Sequence, residues 1–199
     1  MTLWLADATA AARLVRVLPK RRTDDFLGSR NDVWSRIALS PTPERQLAGF
    51  IAKFTPEMAA LIRSARSRMR KRIPKALELV YDNYNFFVIG YGPNERPRDA
   101  IFSLAAQAKG LSLCFLQGAG LPDPKGLLRG SGNLVRSIRL DSAAALTRPE
   151  VRALIAAALQ RAKTPLPADG RHRLIIKSVS AKQRPRRLAT TKLQPRKRK

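Results

Sequence analysis

The densest group of polar residues lies in the segment 117–133, whose composition could support anion binding. It contains five glycines among basic and small polar side chains. Glycine permits positive φ angles and close backbone approach, so successive N–H groups can converge on an anion beside a cation. The candidate ligand-binding residues are Lys125, Arg129, Ser131, Asn133 and Arg136. The spacing matches neither a P-loop nor a dinucleotide-binding motif, so a structural crossover loop is the alternative.

Arg136 lies in a strand-like run in which alternation places it on the same side as Leu134, Ile138 and Leu140. If that side faces the core, Arg136 is partly buried and requires an acidic or carbonyl partner. The candidate acids are Asp82, Asp99 and Asp123. This pattern favours a structural salt bridge, and ligand anchoring is the alternative.

Asp82 and Asp99 form a candidate acidic cluster. If their strands are adjacent, the two carboxylates could bind a hard cation or share a proton. The structural alternative is that Asp82 and Asn85 hold a hairpin turn while Asp99 pairs with Arg96 or Arg98. The structural alternative is favoured, and no tight iron site is expected.

The chain contains one cysteine and one histidine, which excludes an internal disulfide and a zinc site built from these two residue types. Cys114 lies in an apolar run, where a thiol is typically inert. His172 lies between two arginines in a polar linker, where we expect a solvated ring rather than a member of a catalytic triad. The sequence therefore indicates neither a catalytic residue nor a particular cofactor.

Charge is distributed unevenly along the 199 residues, whose net charge is +25. Residues 164–199 contain twelve cations and one acid, whereas residues 1–40 contain seven cations and four acids. The apolar fraction of 44% is enough for a packed core. We therefore predict a loosely ordered extension over 1–40, an α+β domain over 41–178 and a disordered basic tail over 179–199.

The basic tail is predicted to contact nucleic acid or another polyanion. Each Lys or Arg that neutralises a phosphate releases a condensed counterion, whatever the base sequence. The candidate contact residues are Lys182, Arg184, Arg186, Arg187, Arg196, Lys197, Arg198 and Lys199. The tail has no aromatic residue to stack on bases, so weak sequence preference is expected. A solvated extension, or a contact with anionic lipid or RNA, is the alternative.

Two helices are predicted from capping signals followed by apolar periodicity. Thr42 and Pro43 begin the first helix, and Thr55 and Pro56 begin the second. The second helix runs to about Arg72, and its many cations occupy faces other than the apolar one. It is therefore expected to be amphipathic and basic.

Strand-like runs separated by turn signals follow over 77–81, 86–91, 100–106, 111–116 and 134–140. Thr147 and Glu150 are typical of a capping box that begins a closing helix, and residues 174–176 could add a short edge strand. This order predicts an α+β two-layer sandwich, with an antiparallel sheet of five or six strands and the helices on one face. The predicted core residues are Leu47, Phe50, Phe54, Leu61, Ile62, Val88, Phe102, Phe115, Ile138, Leu154 and Leu159.

Three blocks of sequence resemble the YdhG-like bacterial family, a domain of unknown function that is distantly frataxin-like. The blocks are ELVYDNYNFFVIGYGPNERPRDAIFSLA from Glu78, LCFLQGAGLPDPKGLLRGSGNLVRSIRL from Leu113 and IIKSVSAKQRPRR from Ile175. The similarity spans about residues 46–187. It implies a compact α+β domain in a cytoplasmic bacterial protein, and one branch of the family is described as an iron chaperone.

Three hypotheses for function follow from these observations. The first is a non-catalytic binding module whose basic helix and tail contact nucleic acid or another polyanion. The second, implied by the resemblance, is iron handling, although the second helix offers Glu57 as its lone acid among many cations. The third is an enzyme or sensor that binds a small anion at the glycine-rich segment. We expect a cytoplasmic protein without a membrane span, and the oligomeric state is not indicated.

Overall fold

The computed structural model describes residues 41–188 of the chain. The predicted N-terminal extension and residues 189–199 of the predicted tail lie outside the described residues. Within this range, three α-helices span Pro43–Ala52 (α1), Pro56–Arg72 (α2) and Pro149–Gln160 (α3). Among the described residues, no helix is long and apolar enough to cross a membrane.

Helix α2 begins as the sequence predicts, because its start depends on local signals. The Thr55 side-chain oxygen accepts a hydrogen bond from the Met58 backbone N–H at 3.3 Å, and Pro56 occupies the first turn. The predicted capping box of α3 is wrong. Residues Ala143–Thr147 form a 3-10 helix, and the Thr147 hydroxyl donates to the Ala144 carbonyl instead of capping α3.

Six strands form one open sheet, in the order β5-β4-β3-β2-β1-β6. Their bounds are β1 Leu77–Asp82, β2 Phe87–Gly92, β3 Phe102–Gln107, β4 Gly110–Phe115, β5 Arg136–Leu140 and β6 Leu174–Val179. Neighbouring strands are antiparallel, except that β6 pairs with β1 in parallel. The chain crosses from β5 at one edge to β6 at the other through α3, a connection long enough for parallel pairing.

The predicted α+β class and the packing of helices against the sheet are confirmed. The sheet has the optional sixth strand, and the parallel pairing of that strand makes the sheet mixed rather than wholly antiparallel. Eight of the eleven predicted core residues are buried, and Phe50, Leu61 and Leu159 are partly buried against the core. Val88 is buried outside the main core cluster, because alternation turns it away from its neighbours Phe87 and Ile89.

Strand β1 carries two acidic side chains into the helix-facing layer. Val80 belongs to the core cluster, and alternation places Glu78 and Asp82 on the same face as Val80. Both carboxylates have 0% relative exposure. Because a buried charge is costly without partners, each of these acids must recruit cations from neighbouring elements.

Residues 180–188, which we call the C-terminal strap, are hydrogen-bonded to the turn after β1. The Ser180 N–H donates to the Asp82 carbonyl at 3.0 Å, and the Arg184 N–H donates to the Tyr84 carbonyl at 2.9 Å. Arg186 in this strap is 5% exposed. The expectation of disorder from residue 179 onward therefore differs from the structure over 180–188, where the chain is held by partners about one hundred positions away.

Candidate anion-binding site

The exposed side of helix α2 is a concentrated basic surface. Its apolar side chains face the core at helical spacing, so the cations of its second half occupy the remaining faces. The exposed cations are Arg63, Arg68, Arg70, Lys71 and Arg72. Among residues 41–188, none of these five pairs with an acidic side chain. Their positive charge is therefore offered to solvent or to an anionic partner.

A groove of about 550 Å³, which we call the α2 groove, borders this basic surface. Its polar lining comprises Arg63, Arg66, Ser67, Arg70, Lys71 and His172. Five of these residues belong to α2, and His172 comes from the segment that leads into β6. The polar lining of the α2 groove therefore comes from one helix and from a connection far away in sequence, and Ile51 of α1 adds an apolar wall.

Arg66 is held at this groove by two carboxylates from different elements. Its Nε atom donates to both oxygens of Glu78, at 3.0 and 2.9 Å, and its Nη2 atom lies 2.6 Å from Glu78 Oε2. The Glu44 carboxylate of α1 accepts two further hydrogen bonds, at 2.9 and 3.0 Å. Arg66 therefore joins α1, α2 and β1, and its donors are already engaged.

The titration of this cluster follows from these contacts. Burial alone would lower the pKa of Arg66, but hydrogen bonds to Glu44 and Glu78 outweigh burial and raise that pKa. The Arg66 hydrogen bond lowers the pKa of Glu44. Burial, followed by the charge of Glu78, raises the pKa of Tyr91, which lies opposite Glu78 on β2. Arg66 and Glu44 are therefore charged and Tyr91 is neutral at neutral pH, so the ion pair between Arg66 and Glu44 persists.

His172 lies between Arg70 and Glu78, in contrast to the predicted solvated linker histidine. Its Nδ1 atom is 3.4 Å from Arg70 Nη2, and its Nε2 atom is buried 3.0 Å from Glu78 Oε2, outside hydrogen-bond alignment. A guanidinium group only donates, so Nδ1 is the acceptor and the proton of a neutral ring is on Nε2. His172 thereby positions the Arg70 side chain at the α2 groove.

A second groove of about 470 Å³, the α2–α3 groove, lies on the other side of the same helix surface. Arg68, Lys71 and Arg72 line it together with Leu146 and Ile155. Lys71 borders both grooves. The basic surface of α2 is therefore continuous from one groove to the other.

The glycine-rich loop, residues 117–133, uses its amide groups internally. The Asp123 carboxylate accepts from the Leu127 and Leu128 N–H groups, at 2.9 and 2.7 Å. Arg129 exchanges two backbone hydrogen bonds with Ser137, at 2.8 and 2.9 Å. Asp123 thus binds two backbone donors of the loop, and the Ser137 carbonyl binds that of Arg129. The candidate ligand residues Lys125, Arg129, Ser131 and Asn133 are exposed and line neither groove.

Arg136 is half-buried and has carbonyl partners, which the sequence analysis allowed, but the favoured salt bridge to an acid is wrong. Its Nη1 atom donates to the carbonyl oxygens of Val135, at 2.9 Å, and Gly132. Both carbonyls belong to the end of the glycine-rich loop and its junction with β5. Arg136 therefore closes the loop onto the sheet through the backbone, and the structure does not join it to Asp82, Asp99 or Asp123.

The predicted acidic cluster is not formed, because its members lie at opposite ends of the sheet. Asp82 is opposite Phe87 at the β1–β2 turn, whereas Asp99 lies in the turn that follows the far end of β2. Asp99 accepts from the Asn94 side chain at 2.9 Å and lies 3.8 Å from Arg98, which fits the structural alternative. Among residues 41–188, no group of three or more His, Cys, Asp or Glu side chains is placed to hold a metal ion.

Asp82 instead anchors the C-terminal strap. Its two carboxylate oxygens lie 2.5 Å from Lys53 Nζ and 3.0 Å from Arg186 Nη2. Arg186 also donates to the carbonyls of Asn85 and Asn83, at 3.0 and 2.5 Å. This corrects the expectation that Arg186 contacts a polyanion, because the residue is buried and its guanidinium group is bound within the domain.

The other predicted contact residues of the tail divide into three groups. Arg187 donates to backbone carbonyls at the end of α1, including that of Phe54 at 3.1 Å, where a cation also complements the helix dipole. Lys182 and Arg184 are exposed. Arg196, Lys197, Arg198 and Lys199 lie outside the described residues.

Cys114 is half-buried on β4, on the face turned away from the helices. Burial raises the pKa of its thiol to about 11, although a hydrogen bond involving Ser103 acts in the opposite direction. The thiol is therefore protonated at neutral pH. This agrees with the expectation of an inert cysteine.

The α2 groove was not predicted, although two signals pointed toward it. Arg63, Arg66 and Arg70 follow i, i+3, i+7 spacing, which places them on one face of a helix. Glu78 is an acid within a strand-like apolar run, and such an acid requires a cationic partner. The contribution of His172 had no local signal, because its partners lie on α2 and β1.

No protein-family model, curated protein or solved structure matches this chain.

Proposed function

We propose that this chain is a non-catalytic binding module that holds nucleic acid on the basic face of α2, with the C-terminal basic segment adding further contacts. The observation that carries the proposal is the set of five exposed α2 cations, none of which is neutralised by an acid among residues 41–188. The phosphate backbone of a nucleic acid is recognised by positive charge and hydrogen-bond donors, and this face of α2 offers both.

Counterion release sets the expected strength of this interaction. If three of the five α2 cations contact duplex phosphates, log K falls with log salt concentration at a slope of about −2.7. That slope corresponds to a loss of about 40-fold between 50 and 200 mM salt. The mechanism is electrostatic and reads the backbone, so little base preference is expected.

The C-terminal strap supports a contribution from the basic tail. Arg186 and Arg187 bind the domain, and this fixes the point from which residues 189–199 continue. Those residues include the proposed contacts Arg196, Lys197, Arg198 and Lys199. The proposal therefore combines a surface on α2 with cations that continue from a defined anchor.

The alternatives have less support from the described residues. The resemblance to the YdhG-like family suggests iron handling, but Asp82 is enclosed by Lys53 and Arg186 and is not free to bind iron. In the glycine-rich loop, the Leu127 and Leu128 amides are already bound by Asp123 and are not available to a small anion. A cytoplasmic location belongs to this proposal, since it would bring the module together with nucleic acid.

The test compares two triple variants of the full chain that remove the same charge. One carries Arg63→Gln, Arg68→Gln and Arg72→Gln on α2, and the matched control carries Arg96→Gln, Lys109→Gln and Arg152→Gln at exposed sites elsewhere. Binding of a labelled random-sequence duplex and a single strand is measured by fluorescence anisotropy between 50 and 200 mM salt. We expect the α2 variant to reduce the magnitude of the slope of log K against log salt by about 2.7. The control should bind with an affinity within about threefold of the parent chain. Equal losses in both variants would show that only net charge matters.

The tail is tested with a chain that ends at Leu188. This end point removes five cations but leaves Arg186 on the buried Asp82 carboxylate, so the domain keeps its buried ion pair. A chain that ends at Ser180 would remove that partner and confuse loss of binding with loss of stability. We expect the shorter chain to retain the α2 contribution to the slope and to lose the tail contribution. An unchanged affinity and slope would remove the tail from the proposal.

A further inference from the structure

We infer that the α2 groove is a binding site for a phosphate monoester, the dianionic group found at the end of a nucleic-acid strand or on a small phosphorylated molecule. This inference deepens the proposed function and rests on it. It assigns a specific ligand group to one part of the basic surface.

The charge balance of the groove favours a dianion. Four cations line it: Arg63, Arg66, Arg70 and Lys71. Two carboxylates, those of Glu44 and Glu78, bind Arg66. Over these six side chains, two positive charges remain in excess. A phosphate monoester carries close to two negative charges at neutral pH, whereas an internal phosphodiester carries one.

The free donors form one stripe along the helix. At 100° per residue, Arg63, Ser67, Arg70 and Lys71 fall within about 100° of the α2 circumference, and Arg63 and Arg70 are about 10 Å apart along the axis. Arg66 lies between them but is engaged by its carboxylates, so it supports the site without facing the ligand. The long side chains at both ends of the stripe can therefore converge on a phosphate near Ser67.

His172 gives this stripe a fixed element. Its Nδ1 atom lies 3.4 Å from Arg70 Nη2 and holds one edge of the guanidinium group, while the rest of that group remains exposed. Preorganisation of a donor lowers the entropy cost of binding. His172 is therefore a positioning residue for Arg70 rather than a ligand itself.

The size of the α2 groove suits a small ligand or the end of a strand. Its volume of about 550 Å³ is in the range of small-molecule sites. The convex surface of a duplex fills such a concavity poorly, whereas a strand end or a phosphorylated small molecule can enter it. The ligand chemistry is thus a terminal phosphate rather than a continuous backbone.

The experiment measures binding of two labelled twelve-nucleotide thymidine strands to the full chain, one with a 5′-phosphate and one with a 5′-hydroxyl. Unlabelled thymidine monophosphate and thymidine serve as competitors. We expect the phosphorylated strand to bind about tenfold more tightly, since it gains charge-assisted hydrogen bonds. Arg70→Gln should reduce this preference to about twofold, and the matched control Arg152→Gln should leave it unchanged.

The outcomes show whether the phosphate-monoester site, the proposed function or both have failed. Equal binding of both strands, with no competition by thymidine monophosphate, would overturn the phosphate-monoester site and leave the nucleic-acid proposal standing. Binding of thymidine monophosphate without binding of either strand would overturn the proposed function and support the site. Strong competition by the monophosphate would assign the site to small molecules, and weak competition with a tenfold strand preference would assign it to strand ends. No binding of any probe would overturn both.

Discussion

Helix α2 and the glycine-rich loop both combine cations with hydrogen-bond donors, and they differ in what those donors already bind. In the loop, two backbone N–H groups are bound to the Asp123 carboxylate, and its cations stand apart from either groove. On α2, Arg66 is the one cation that pairs with acids of the described residues 41–188, and the neighbouring cations surround a concave surface.

The difference shows what an anion site requires beyond a suggestive composition. Glycines and cations at short spacing supply donors, but a donor that is bound within the protein contributes nothing to a ligand. The carboxylates near α2 have the opposite effect to Asp123. Glu78 and Glu44 bind Arg66, and among residues 41–188 no acid forms an ion pair with the neighbouring cations of the groove. In the loop, Asp123 occupies two backbone donors that an anion could have used. Near the helix, Glu44 and Glu78 bind Arg66 and organise the site.

The largest expected effect comes from removing the buried acid behind the α2 groove. Glu78→Gln leaves the half-buried Arg66 with Glu44 alone and should lower the free energy of unfolding by about 3 kcal/mol, since breaking a buried ion pair is costly. Denaturant unfolding measures this change. Glu44→Gln is the control, because its side chain is 55% exposed and should cost less than about 1 kcal/mol. Equal losses would mean that Glu78 has no special role in holding α2.

A somewhat smaller effect is expected at the acid that closes the loop. Asp123→Ala removes the acceptor of two backbone N–H groups and should lower the free energy of unfolding by about 2 kcal/mol. Asp169→Ala, at an exposed acid, is the control and should change it by less than about 0.5 kcal/mol. If Asp123→Ala behaves like the control, the loop amides are not held by this carboxylate and the contrast with α2 weakens.

The helices and strands whose ends and periodicity are set by residues adjacent in sequence could be predicted. Thr55 and Pro56 mark the start of α2 through local capping, and alternation identified the strands and the side of β5 that carries Arg136. Strand β6 could be anticipated, but not its parallel pairing, because that depends on the path of the chain around α3. Thr147 shows the limit of local signals, since a 3-10 helix uses its hydroxyl differently.

The contacts between distant residues could not be predicted in the same way. Asp82 and Arg186 are 104 positions apart, and the composition around Arg186 resembles that of a solvated tail. His172 similarly depends on Arg70 and Glu78, which lie on other elements. Burial of a charge is decided by which partner the fold supplies, and the pattern of a single segment does not contain that information.

The pH dependence of the α1–α2 contact gives a smaller effect. The Arg66 hydrogen bond holds the pKa of Glu44 below its usual value of 4.5, so Glu44 contributes stability that is fully present above that pH and is lost as pH falls through the lowered pKa. Relative to Glu44→Gln, the parent chain should be more stable by about 0.5 kcal/mol at pH 7, and the difference should vanish near pH 2. Denaturant unfolding at several pH values measures it. A difference that grows on acidification would contradict the assigned direction.

The smallest effect is expected from the cations of the loop. Lys125→Gln with Arg129→Gln removes two exposed charges that border neither groove, so only the long-range potential changes, and salt screens it beyond about 10 Å at 0.1 M. We expect less than a twofold change in affinity for a random-sequence duplex at that salt concentration. The matched pair on α2, Arg68→Gln with Arg72→Gln, removes the same charge. It should reduce the magnitude of the slope of log K against log salt by about 1.8. If the loop pair lowers the slope as much as the α2 pair, the loop cations also contact phosphate, and the interface extends from α2 onto a segment whose backbone donors are already bound.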